Sequence, residues 1–446
     1  MRGLFLTTII ASMAINIGLY AQEEEMVQEK PKIELSVVYE KTFDDTVVDV
    51  IFDTATVSIE EAKQMGWKEG ALTIEDKAKG KVLVSYPKVV FVSRGRELGW
   101  YVPESQGSSY YVKELRFYDK YSRLQRKLDI RFEEGFEFIH LSPQKKYILV
   151  SKMPSEYNPE YSGGSLYDCV GKRIWEIAGP TPIAVSDEGY AVAAHLDWQV
   201  PPNPGGDFYI YDSEGKLIST IENPDKNKTS PLFGEYSKDG DYAVISFHAG
   251  TVPPTIFLLI TKEGKILWQK ELPENSFPGR SEEIDILPNK GIGVTNAFFI
   301  NWQGNLKWKY SLNLGGNKGC IFSQDEMRFY VYTTYGYLYS FDVYSGSIIW
   351  EHREPWSPQG IPRLIDKVPW FVEMQEQAQY IVVKGAITNW TSWHSSKVFL
   401  FDSRTGELKI EIEYPDKKIF LSSHNGIIFV IDAANNKVEG LKIEEE

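Results

Sequence analysis

Short apolar stretches separated by polar turns run along most of this chain, and they come in pairs. Each pair is an apolar or aromatic stretch, a turn often holding Asp and Gly, and a second stretch that often carries Trp. The pairs are Phe117 to Leu124, Leu166 to Trp175, Tyr209 to Leu217, Leu258 to Trp268, Phe298 to Trp308, Tyr339 to Trp350 and Leu400 to Leu408. Stretches of this length that alternate or run apolar read as half-buried strands. The turns fit hairpins, because Asp or Asn can bond its own backbone two residues on and Gly accepts a positive φ.

The residues that open these turns are Asp119, Asp168, Asp212, Thr261, Asn301, Asp342 and Asp402, with spacings of 49, 44, 49, 40, 41 and 60 residues. About 40 to 50 residues is what a four-stranded propeller blade needs. A second turn falls upstream in most units, at Ser142, Ser186, Ser237, Ser323 and Ser423, each followed by a more apolar strand. Every unit thus offers strands a, b, c and d, with tight turns between a and b and between c and d.

The pattern predicts an all-β chain folded as a β-propeller of seven or eight four-stranded blades, eight preferred. Residues 22–80 form an N-terminal segment and 81–446 the propeller. Seven units fit between 81 and 414, and Lys418 to Ile443 holds three further strands. A strand near Ile33 to Phe43 completes the eighth unit and closes the ring, which covers otherwise bare sheet edges. A seven-bladed ring with a terminal hairpin packed outside is the alternative. Ser58-Ile-Glu-Glu61 reads as a capping box opening a short helix to about Met65, with Gly66 as its stop. That helix is expected as a decoration on the ring.

The Asp-x-x-Gly-Lys-x-x-Trp pattern, as in Asp168 to Trp175, resembles repeats of pyrroloquinoline-quinone-type propellers and of barrel-assembly propeller lipoproteins. The Ser-x-Asp-Gly turns resemble those of WD-repeat and translocation-type propellers. The resemblance covers about residues 81 to 443 and implies the fold. It implies little about function, since these motifs are hairpin and packing devices shared by propellers with unrelated roles.

The first 22 residues carry one charge, Arg2, then an apolar stretch from Leu4 to Leu19, then Tyr20-Ala21-Gln22 and an acidic run at Glu23 to Glu25. This is the layout of a secretory signal peptide over residues 1–21, cleaved after Ala21, and it places the protein outside the cytoplasm, secreted or periplasmic. Leu19 is larger than the usual residue three before such a cleavage, so an uncleaved N-terminal anchor is the other reading. No later stretch reaches the roughly 18 apolar residues of a membrane helix, so no transmembrane segment is expected in the mature chain. A formal charge of −14 with no basic cluster interleaved with aromatics makes a nucleic-acid partner improbable. Cys169 and Cys320 are the only cysteines, too few for a disulfide framework.

Chemistry is expected on the b–c connections, because the tight a–b and c–d turns share the opposite face. The longer b–c connections read from sequence are Ser93 to Tyr110, Lys152 to Ser165, His195 to Asp207, His248 to Thr255 and Gly385 to Lys397. They carry the ligand-binding candidates Trp100, Tyr157, Tyr161, His195, Asp197, Trp198, His248, Trp390, Trp393 and His394. Aromatic rings on loops offer flat apolar faces with polar tips to sugars, peptides or a partner surface; the plainer alternative is that these loops pack on one another. His195 with Asp197, and Trp393 with His394, are also candidate metal or proton-transfer pairs, but a hydrogen-bonded loop histidine is the commoner case. Trp175, Trp268, Trp308 and Trp350 are assigned instead to packing between blades.

The sequence therefore points to a noncatalytic exported propeller that binds a protein or glycan partner, with no catalytic residues, cofactor or metal. The alternative is a propeller enzyme: a polysaccharide or peptide hydrolase or lyase, or a divergent quinoprotein dehydrogenase. Against it, the quinoprotein resemblance implies a vicinal disulfide and a calcium site, and no adjacent Cys pair is present. No Gly-x-Ser-x-Gly elbow appears either.

Overall fold

The computed structural model describes residues 33–44, 47, 49–71, 74–76, 80–93, 112–129, 136–153, 162–195, 205–227, 229–249, 252–272, 284–295, 297–310, 317–333, 336–353, 369–389, 392–421 and 426–445. Residues 35–443 form one compact unit. Among the described residues, one helix accompanies strands arranged in eight separate sheets. In chain order the sheets span 49–129, 136–178, 181–221, 230–272, 284–309, 317–353, 369–415 and 418–445, and the last also takes in Ile33–Thr42. The first seven run a, b, c, d as meanders, and the first has a short extra strand, Ile74–Asp76, on its strand b.

Burial changes from strand to strand in a way the residues explain. Strand b of the third sheet, Ala191–Ala194, is buried throughout, and strand c, Phe208–Tyr211, nearly so. Strands covered on both faces read as continuous apolar runs. Strand d is the outer edge: in Arg173–Ala178 and Ile348–Arg353 only Trp175 and Trp350 are buried.

The sheets pack on one another in sequence and then close. The first strands approach most directly, Thr181–Val185 against Ser230–Tyr236, Ile284–Leu287 against Asn317–Phe322, and Asn317–Phe322 against Pro369–Gln377. Leu115 and Phe117 of the first sheet meet Ile148 and Val150 of the second, and Phe233, Val244 and Trp268 of the fourth meet Ile284, Ile292 and Phe298 of the fifth. The last sheet packs on the first through Lys418–Leu421 and Asp49–Ser58. Sheets that meet through their inner strands, expose their outer ones and close last on first are a β-propeller.

Closure uses both ends of the chain. Ile33–Thr42 pairs with Lys437–Glu445, and the Phe43 amide donates to the Asn436 carbonyl at 2.8 Å. The helix spans Ile59–Met65, its Ser58 hydroxyl accepting the Glu61 amide at 3.1 Å and Gly66 stopping it at φ 113°. Contrary to expectation it is no decoration. Ala62 and Met65 are fully buried with Tyr39 and Phe429 of the last sheet and Val57, Val82 and Val84 of the first. The helix fills the seam where the ring closes, and the Tyr39 ring stands edge-on to Trp67 and Phe429 there.

The strand Asp49–Ser58 pairs with Lys81–Ser93 from Asp49 opposite Phe91 to Ser58 opposite Lys81. The first sheet therefore begins well before residue 81.

The turns and the tryptophans behave as the repeat predicts. Asp168 Oδ1 accepts the amides of Val170 and Lys172, and Asp212 Oδ1 those of Glu214 and Lys216. At four of these turns the Gly three or four residues on takes a positive φ and lies against the Trp of the preceding sheet. An added Cβ would fall 2.7 Å from Trp175 at Gly215, 2.9 Å from Trp268 at Gly304 and 2.5 Å from Trp350 at Gly406, and would also strike Trp308 at Gly346. Only Gly permits that approach. Three of the four indoles also donate Nε1 to a carbonyl of the neighbouring turn: Trp268 to Trp302, Trp308 to Val343 and Trp350 to Ser403.

Candidate functional site

The expected binding rim lies at the b–c ends of the sheets. Trp100, Tyr157, Tyr161, Asp197, Trp198 and Trp390 fall outside the described residues. His195 is described: it follows strand b of the third sheet, is exposed, and meets the Tyr209 ring edge-on at 5.4 Å between centroids. Tyr209 is on strand c of the same sheet, so this pair sits where b ends and c begins.

His248, Trp393 and His394 occupy strands, where the sequence suggests loops. Strands b and c of the fourth sheet run Tyr242–Ala249 and Val252–Thr261, with His248 opposite Thr255. In the seventh sheet they run Tyr380–Asn389 and Ser392–Asp402, so the connection shrinks to residues 390–391. The polar residues that suggested a loop sit in a continuing ladder, Lys384 opposite Val398 and Gly385 opposite Lys397. Trp393 faces Thr388 and Ser395 faces Ile387, so His394 is the extra residue of a bulge. A bulge twists a strand and re-aims its side chains, a common device near functional rims.

These two hairpins outrun their neighbours. Strands of 10 and 11 residues in the seventh sheet compare with 4 residues each in strands b and c of the third and fifth. At about 3.3 Å per residue, six extra residues add roughly 20 Å of hairpin. His248, Trp393 and His394 lie towards the tips of those two hairpins, at the same b–c end as His195.

The opposite end holds polar groups that the sequence reading passed over. Here the a–b turns of successive sheets are clasped by carboxylates, buried at Asp187 and Asp285 and half-buried at Glu376. Both oxygens of Asp187 accept the Gln144 amide at 3.0 Å, and Asp285 accepts the Phe322 amide at 2.8 Å and the exposed Lys238 ammonium at 2.9 Å. Glu376 accepts the Gln324 amide and, at 3.3 Å, the Tyr330 hydroxyl. Gln144 also reaches the Lys238 carbonyl, two sheets away, at 3.2 Å.

The electrostatics follow from burial. Asp285 draws the Lys238 ammonium above its usual range. Burial raises the Glu376 carboxyl, aided by the nearby Asp325, and the bonds from Gln324 and Tyr330 only partly oppose it. Burial likewise pushes the Tyr330 hydroxyl up to about 12. These carboxylates spend acceptors on backbone amides of the adjacent sheet, which is the work of a clasp. Spacing could not reveal them, because Asp187 lies in a turn whereas Asp285 and Glu376 lie on strands. Among the described residues no group of three or more His, Cys, Asp or Glu is placed to hold a metal ion, and no helix is long and apolar enough to cross a membrane.

No family model matches the chain, and no curated protein matches its sequence. Many solved structures do resemble it. One is the computationally designed Ika8 protein, 10% identical with a TM-score of 0.47, covering 76% of this chain and 92% of that one. Another is BamB from Moraxella catarrhalis, 10% identical with a TM-score of 0.45, covering 79% and 97%. A third is the C-terminal WD40 domain of Sif2, 9% identical with a TM-score of 0.47, covering 92% and 99%. The propeller assignment rests on the sheet order and packing above.

Proposed function

We propose that this protein is an exported, noncatalytic propeller of eight blades that binds a protein or glycan partner through its b–c rim. The observation that carries this reading is the pair of long b–c hairpins. They extend His248, Trp393 and His394 away from the short strands that build the sheets, at the end of the ring that also holds the exposed His195. The repeated Trp residues of strands d support it from the other side: they are consumed in packing between sheets. Aromatic residues at the rim are then the ones left to meet a partner, and such residues dominate interface energetics.

The test is to recover what co-purifies with the mature protein from its own host and to measure its affinity for Trp198→Ala and Trp393→Ala. Burying one aromatic side chain on a partner contributes about 1.5 to 3 kcal/mol, so each variant should bind roughly tenfold or more weakly with an unchanged melting temperature. If both variants instead melt as early as Trp268→Ala and bind normally, the rim is packed scaffold and the reading fails.

A further inference from the structure

The slot that Trp fills at four joints between sheets is occupied differently between the first and second. Counting from the residue that opens each c–d turn, the docked Trp comes seven or eight positions later: Trp175 after Asp168, Trp268 after Thr261, Trp308 after Asn301 and Trp350 after Asp342. In the first sheet the seventh residue after Asp119 is Arg126. It holds the same register position, opposite Phe117 on strand c, as Trp268 does opposite Leu259 and Trp308 opposite Phe299. The turn glycine of the second sheet, Gly171, accordingly meets the Phe117 ring instead of an indole, at 2.8 Å from an added Cβ.

The third sheet also lacks the Trp but carries the small Ser219, and the next turn closes onto it, with 2.7 Å from an added Cβ at Gly264 to the Ser219 Cβ. At the joint between the first and second sheets an open surface cleft of about 510 Å³ is lined by Arg126, Leu128, Tyr167, Lys172 and Arg173. Arg173 is paired with Glu176 at 2.6 Å. Among the described residues no carboxylate pairs with Arg126 or Lys172, and both are exposed.

We propose that this cleft is a binding site for a ligand bearing a phosphate or sulfate group next to a flat apolar moiety. Arg126 supplies the planar fork suited to an oxyanion, and Lys172 a second, compact cation. The Tyr167 ring and the Leu128 side chain, both half-buried, give the moiety attached to the oxyanion an apolar wall. On a chain of formal charge −14, three cations lining one cleft mark it out as a local attractor for anions. The site is on the outer, strand-d side of the ring and is independent of the b–c rim.

The probes are phenyl phosphate and phenyl sulfate, titrated calorimetrically into the full mature protein at low ionic strength. At least one should bind, and which one identifies the source of the oxyanion. Binding should weaken about tenfold in Arg126→Gln and in Lys172→Gln, the loss expected for one charge-assisted contact, and should fall as salt is raised. Arg126→Trp should abolish it and raise the melting temperature, because the indole supplies the packing that Trp175, Trp268, Trp308 and Trp350 give at their own joints. Should Arg126→Trp fail to fold, the two Gln variants carry the decision. The proposal is overturned if neither probe binds the native protein, or if the Gln variants bind as tightly as it does.

Discussion

The indole of Trp308 donates its Nε1 hydrogen to the carbonyl of Val343 in the neighbouring sheet at 2.7 Å, which makes one residue both an apolar wedge and a hydrogen-bonded strut. Trp175 occupies the equivalent place on its own sheet, but its buried Nε1 finds no acceptor among the described residues. The pair separates the two roles. Trp308→Phe should cost about 1 kcal/mol more than Trp175→Phe, since only the former gives up a net hydrogen bond. Equal losses in a denaturant titration would show that the bond contributes nothing beyond packing.

Replacing Gly406 with Ala should be nearly as harmful as removing the Trp it faces. Its φ is 72°, and an added Cβ would fall 2.5 Å from the Trp350 ring. Strain and steric conflict together predict a loss of about 2 to 4 kcal/mol, similar to Trp350→Ala. A double variant much less damaging than the sum of the two would confirm that they meet at one joint; full additivity would argue that they do not.

Asp285 should matter more than its partner Lys238. Asp285→Ala leaves the buried Phe322 amide without its acceptor and should cost about 1 to 3 kcal/mol. Lys238→Ala removes an exposed ammonium and should cost under about 1 kcal/mol. Thermal melts of the two variants decide it, and the reverse ranking would contradict the clasp.

Acid should destabilise the ring through His140. Burial pushes its imidazole down to about 4, so the folded protein resists a proton that the unfolded chain accepts near pH 6.5. The unfolded state therefore binds more protons between those values, and stability is full above about pH 6.5 and declines as pH falls towards 4. His140→Phe should flatten that part of the profile by about 1 to 3 kcal/mol. An unchanged pH profile in the variant would assign the acid sensitivity to other groups.

The proposed export predicts that protein recovered from its host begins at Gln22. Intact-mass measurement decides this, and retention of Leu4 to Leu19 in a membrane fraction would replace the signal peptide with an anchor.

What could be read from sequence was local. The Asp-opened turns, the inter-sheet Trp residues and the Ser58-capped helix each depend on residues a few positions apart, and the structure places them as read. The closing strand was legible because three leftover C-terminal strands needed a fourth. Long-range pairing was not: nothing near Asp49 signals that it will sit opposite Phe91. His248, Trp393 and His394 were read as loop residues and lie in strands, because polar residues look like loop until a partner strand continues the ladder. The carboxylate clasps were missed because no repeat position encodes them, and Arg126 stood out only once its Trp counterparts were seen docked.

The pairing of Ile33–Thr42 with Lys437–Glu445 also sets a timetable for folding. The earlier segment must wait, through synthesis and any crossing of a membrane, for a partner about 400 residues later, and joining ends that far apart costs on the order of 5 kcal/mol in chain entropy. Until then the seam stands open, with the apolar residues that Ala62, Met65 and Trp67 later cover accessible to any other chain. The window in which this protein is most exposed to aggregation and proteolysis is therefore the interval before its last strands arrive, and a helper that shields the open seam would act then.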